Sequence, residues 1–146
     1  MSLRAIFLIA VALVAPGAPE AARAAWSVVV ATESYFVEFD PDLVRRQGPY
    51  TMAWTRMTFT VPQPGSSESG GRRYQSQLQL HAIDCEGTAS TVVGLVLYTG
   101  ALGRGDIVER TTRPRAEWTP KPAPSGSLGE RTVRLACAAV VAREPR

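Results

Sequence analysis

The chain has 146 residues, of which 45% are hydrophobic, 20% charged and 8% aromatic, and its net charge is +3. That length predicts a single folded domain, and the composition excludes disordered, collagen-like, coiled-coil and polytopic membrane classes. A balance this weakly basic, with no basic run interleaved with aromatics, sets nucleic acid aside as a partner.

The first element is a targeting segment. Arg4 supplies a positive start, Ala5 to Ala15 is an unbroken apolar run, and Ala22-Arg23-Ala24 has the small-residue form of a cleavage site. This is the layout of a secretory signal peptide over residues 1–24. The apolar run is too short for a membrane anchor, which needs roughly 20 residues. Cleavage predicts a domain of residues 25–146, periplasmic or secreted, with no membrane anchor and no cysteine before the cut for lipid attachment.

In chain order, Trp26–Thr32 and Tyr35–Phe39 read as short strands, followed by a turn at Asp40-Pro41-Asp42. Leu43–Gln47 could form one helical turn before Gly48-Pro49. Tyr50–Val61 is a strand with large side chains on both faces, and Pro62–Gly71 is a flexible loop by composition. Tyr74–Ala82 alternates strictly, with Gln75, Gln77, Gln79 and His81 on one face, the pattern of a half-wet antiparallel strand. Ile83 breaks that pattern from the glutamine side, which suggests a bulge near Ala82. Thr88–Tyr98 returns as a long buried strand, Gly100–Gly105 turns, and Ile107–Arg113 is a last polar strand.

Three prolines, Pro120, Pro122 and Pro124, argue against regular structure before Ser125. Ser127-Leu128-Gly129-Glu130 then fits a capping box, and Leu128, Leu135, Ala136, Ala139 and Val140 broadly follow a helical stripe. A terminal strand is the alternative. The expected architecture is α+β: a small antiparallel sheet of about six strands with one C-terminal α-helix packed on it.

Cys85 and Cys137 are the only cysteines. In an exported chain an even count reads most simply as a disulfide, which on the chain-entropy model would add roughly 4 kcal/mol for a loop of about 50 residues. Metal binding and a catalytic thiol are the competing readings. The single histidine, His81, leaves a metal short of ligands, and no base or C-x-x-C accompanies either thiol.

The order and spacing of several loose motifs resemble the surface-adhesin protein E family of proteobacterial exported proteins. They are Trp26, Tyr35-Phe36-Val37-Glu38-Phe39-Asp40, Gly48, Trp54, Tyr74-Gln75-Ser76, Asp84-Cys85, Tyr98, Ile107-Val108, Trp118, Ser125 to Glu130 and Cys137. The resemblance spans essentially Trp26 to Cys137. It implies a small antiparallel sheet carrying a helix, a bridged cysteine pair and, for the founding type, binding of host extracellular-matrix and plasma proteins at the cell surface. That founding type is a lipoprotein, and the acylated cysteine is missing here.

The sequence points to no enzyme, no cofactor and no metal. Nucleotide-binding, serine-hydrolase and zinc-protease motifs are absent. Arg104-Gly105-Asp106 is an integrin-type tripeptide, but Gly105 sits where a turn needs glycine for backbone reasons. His81 reads as a solvated sheet residue on the glutamine row, and Asp84, three residues on, would point to the other face. Trp54 reads as core; Trp26 and Trp118, near segment boundaries, read as core or as binding anchors. The expected function is an exported protein-binding module. The alternative is a soluble periplasmic protein that binds a ligand or an envelope partner. Exposed sheet edges leave a homodimer open.

Overall fold

A computed structural model describes residues 25–143; the expected signal peptide lies outside the described residues. The β-branched and alternating segments form one antiparallel sheet. Its central path follows β1 (Ser27–Ala31), β2 (Tyr35–Phe39), β4 (Tyr50–Gln63), β5 (Tyr74–Asp84), β6 (Ala89–Tyr98) and β7 (Ile107–Thr112). Two short strands complete it: β3 (Arg45–Gln47) pairs with β4, and β8 (Lys121–Pro122) pairs with β6. No helix among the described residues is long and apolar enough to cross a membrane.

The two short strands correct the sequence reading. The helical turn expected over Leu43–Gln47 forms earlier, as a 3-10 turn at Pro41–Leu43 capped by the Asp40 carboxylate, which accepts from Asp42 N at 2.8 Å. Proline at the first position favours that start. Arg45–Gln47 is then free to pair with Tyr50–Met52 across the Gly48-Pro49 turn, where Gly48 takes φ +62°. At the far edge, Pro122 pairs opposite Ala89 in a strand of two residues, an edge position at which a missing N–H is tolerated.

Residues opposite each other in an antiparallel ladder share a face. Ala53 opposes His81 and Thr51 opposes Ile83, so the glutamine row, His81 and Ile83 all lie on one face with unbroken alternation. Ile83 therefore needs no bulge in its own strand. It turns apolar because the helix α1 (Leu128–Val141) covers that end of the row, where Phe39, Val44, Ala53 and Ile83 pack against Val133, Ala136 and Val140. The irregularity lies one strand over, where β6 carries an extra residue, Val93, between the Leu80–Gly94 and His81–Val92 pairs. Val93 is 1% exposed and joins Met52 and Ala82 in a second apolar cluster on the opposite face.

The helix forms where the capping box placed it: Glu130 N donates to Ser127 Oγ at 3.2 Å, and Gly126 N donates to the Glu130 carboxylate at 2.7 Å. Its buried positions are Thr132, Val133, Ala136 and Val140, spaced for one helical face. Burying a valine there stabilises by about 1.5–3 kcal/mol. Cys85 and Cys137 are bonded, with Cα atoms 5.7 Å apart, and tie mid-helix to the end of β5. Arg131 Nη1 donates to Val29 O at 2.8 Å, and Arg143 Nη1 donates to Val44 O at 2.7 Å.

His81 is a second correction. It is 9% exposed rather than solvated, and it shares a hydrogen bond of 2.9 Å between Nε2 and Thr55 Oγ1. Burial pushes its pKa down to about 4, because a charged imidazole would be stripped of water there. Trp54, expected in the core, is only half-buried.

Candidate functional site

The β-meander brings three connections to one end of the sheet. The β1–β2 turn, the Pro62–Arg73 loop and the Gly100–Asp106 loop are neighbours because Tyr35 pairs with Phe59, Gln63 with Tyr74 and Ser76 with Tyr98. Half-buried aromatics run across this end: Tyr35 and Phe59 have ring centroids 6.4 Å apart, and Phe59 meets Tyr74 edge-on at 5.7 Å. Two aliphatic side chains at the same end are strongly exposed, Val61 at 61% and Ile107 at 43%.

The loops are built rather than loose. In the segment read as flexible, Gly71 N donates to Ser66 O at 2.9 Å and Ser66 Oγ donates to the Glu109 carboxylate at 2.8 Å. Arg72 Nη1 reaches Ile107 O at 3.3 Å, which binds this loop to β7. The next loop is seated by buried hydroxyls: Ser76 Oγ donates to Gly100 O at 2.6 Å and accepts from Gly103 N at 2.8 Å, and Leu102 N donates to Thr58 Oγ1 at 3.2 Å.

Arg104, Gly105 and Asp106 are exposed at the tip of that loop. Gly105 has φ +84°, and a Cβ there would come within 2.5 Å of Thr99 Oγ1. The same hydroxyl accepts from Asp106 N at 3.0 Å. Glycine is therefore required by the turn itself, whatever its flanking charges do. Both flanking side chains are without a partner among the described residues.

Beneath the loop lies an ion pair that the sequence did not disclose. Arg56 donates to both Glu38 oxygens, at 2.7 and 2.9 Å, and sends Nη1 to Leu102 O at 3.3 Å. Its guanidinium stands 4.5 Å from the Trp26 ring centroid. Trp26 thus lies beside the tripeptide loop, joined to it through Arg56, as a packed residue. Trp118 is at the other end of the sheet, against the Met52, Ala82 and Val93 cluster, with its indole N–H donating to Arg113 O at 3.0 Å. The five candidate residues therefore do not form one site. Only cross-strand register pairs Glu38 with Arg56, and a sequence 18 residues apart carries no mark of it.

An antiparallel meander with one disulfide-tethered C-terminal helix defines a small α+β domain, and no cluster of metal-binding side chains occurs among the described residues. A family profile described as surface-adhesin protein E matches residues 26–138, and the chain belongs to that family. It is adhesin-like, in a family of adhesins rather than enzymes.

The fold is similar to that of Haemophilus influenzae protein E, with a TM-score of 0.59 at 13% identity, covering 84% of this chain and 91% of that one. Protein E from non-typeable Haemophilus influenzae gives a TM-score of 0.53 at 13% identity, with 86% and 94% covered. A mouse (Mus musculus) protein named as an inactive ribonuclease 11 is 35% identical over 78 residues, 53% of this chain. The chain spans 40% of that relative's length.

Proposed function

We propose that the domain is exported and binds a host extracellular-matrix or plasma protein through the loop end of its sheet. The carrying observation is the combination found there: exposed Val61 and Ile107, a half-buried aromatic row, and the exposed charges of Arg104 and Asp106 on a hydrogen-bonded turn. Protein interfaces draw their energy from apolar and aromatic centres rimmed by polar groups. Rigid loops lose little conformational entropy on binding. Membership of an adhesin family supports the same reading.

The test has two stages. Protease treatment of intact cells should remove the protein while a periplasmic control survives. The mature domain should then bind one of a panel of immobilised matrix and plasma proteins, with binding weakened about tenfold or more by Val61→Glu with Ile107→Glu. Arg104→Ala with Asp106→Ala separates tripeptide recognition from the apolar contribution. Protection in intact cells, with digestion after outer-membrane permeabilisation, would refute surface display and turn the search to an envelope partner. A second copy adding a strand to the outer edge of β1, where Val28 is 58% exposed, would appear as a dimeric elution volume; a monomer at micromolar concentration excludes it.

A further inference from the structure

At the opposite end of the sheet, the edge strand is interrupted. β7 pairs with β6 as far as Thr112 opposite Gly94, and β8 rejoins β6 at Lys121 opposite Ser90. Between them the chain makes an excursion over residues 113–120. A cleft of about 440 Å³ opens there, lined by Ser90, Thr91, Arg113, Glu117, Thr119 and Lys121. Its lining therefore includes two cations, one carboxylate and the hydroxyl residues Ser90 and Thr119, with Thr91 adjoining through β6 while its side chain belongs to the other face.

Neither Arg113 nor Lys121 has a side-chain ion pair or hydrogen bond among the described residues, so both charges are available. The excursion that presents them is fixed. Trp118 packs on the Met52 cluster and its N–H holds Arg113 O. The Arg115 guanidinium lies 4.6 Å from the Tyr50 ring centroid and 4.4 Å from that of Trp118. Pro114 and Pro120 stiffen the two ends.

We propose that this cleft binds a small oxyanion that also carries a hydrogen-bond donor, with hydrogen phosphate as the simplest example. Arg113 and Lys121 supply charge-assisted donors, and the hydroxyls of Ser90, which shares a face with Lys121 opposite it, and of Thr119 complete the oxygen shell. Glu117 decides the class. A carboxylate repels a fully ionised anion but accepts a hydrogen bond from an anion that keeps an O–H. Sulfate, which has none at neutral pH, is disfavoured, and hydrogen phosphate or a hydroxyl-bearing phosphorylated small molecule is preferred. The site lies at the other end of the sheet from the loops proposed to bind protein, and it stands independently of that reading.

The experiment is calorimetric titration of the mature domain with inorganic phosphate and, separately, with sulfate, at low ionic strength and neutral pH. Saturable phosphate binding is expected, with sulfate weaker by about fivefold or more. Arg113→Gln with Lys121→Gln should weaken phosphate by about tenfold or more. Arg134→Gln, on the exposed side of the helix, should change nothing and controls for general charge. Glu117→Gln should bring the two anions toward equal affinity. Failure of phosphate to saturate in the millimolar range overturns the proposal. So does equal affinity for both anions in the unmodified domain, or an equal loss in the Arg134→Gln control. Circular dichroism of each variant checks that it is folded.

Discussion

Two arginines in this domain lie on tryptophan rings, and their surroundings make them opposites. Arg56, over Trp26, is enclosed: its side chain is 16% exposed, and both Glu38 oxygens are committed to it. Arg115, over Tyr50 and Trp118, is exposed and finds no carboxylate among the described residues. The same cation–π geometry thus serves a buried brace at the loop end and a surface clasp at the other. A contact between two residue types carries little meaning until burial and charge balance are known.

The largest effect should come from breaking the brace. Arg56→Ala leaves the buried Glu38 carboxylate unpaired and removes the donor to Leu102 O, so about 3–5 kcal/mol of stability should be lost in denaturant unfolding. The loop carrying Arg104 and Asp106 should gain mobility, seen as faster amide exchange at Leu102 and Gly103. A loss below about 1 kcal/mol would show that the pair is solvated and remove the contrast with Arg115.

Reduction of Cys85–Cys137 comes next, with a cost of roughly 2–4 kcal/mol expected in the same assay. Arg131, Arg143 and the buried valines still hold the helix. Helical circular dichroism should therefore persist below the midpoint. Its complete loss on reduction in native buffer would make the disulfide the helix's main attachment.

His81 should make stability fall with acid. It is neutral in the fold, with its pKa lowered from 6.5 to about 4 by burial, so the unfolded chain binds the extra proton between those values. Stability is therefore full above about pH 6.5 and declines as pH falls toward 4, by on the order of 3 kcal/mol at the end of that window. Its surroundings, Thr55 across the ladder, Gln79 on its own strand and Val92 on the next, supply no charge to offset protonation. His81→Gln should flatten that slope in urea midpoints compared at pH 7 and pH 4.5. An unchanged slope would assign the acid sensitivity to carboxylates.

Arg115→Ala should have the smallest effect, about 0.5–1 kcal/mol, as befits an exposed cation–π contact. The same substitution should quench or shift tryptophan fluorescence by exposing one face of Trp118. A stability loss comparable to that of Arg56→Ala would mean that the excursion over residues 113–120 is held chiefly by this clasp.

Elements built on local rules were legible in the sequence. The capping box at Ser127 and Glu130, the alternation of Tyr74–Ala82 and the hairpin glycines follow from backbone preference, which neighbouring residues dictate, and the cysteine pairing follows from there being only two cysteines. What the sequence left undecided was which side of an alternating strand would be covered. The glutamine row looks wet by composition, yet the helix closes its far end over Ile83, and His81 beside it is buried as well. The helix could be foreseen from its own residues. The cysteine pair also tied it to the end of β5; which face it would cover could not be foreseen, because that depends on an apolar patch assembled from β2, β4 and β5. For the same reason the Arg56–Glu38 brace, the aromatic row at the loop end and the cleft beside Lys121 exist only once the register has brought distant strands together. Local propensity fixes conformation within a few residues, whereas burial and charge pairing depend on the whole packed chain.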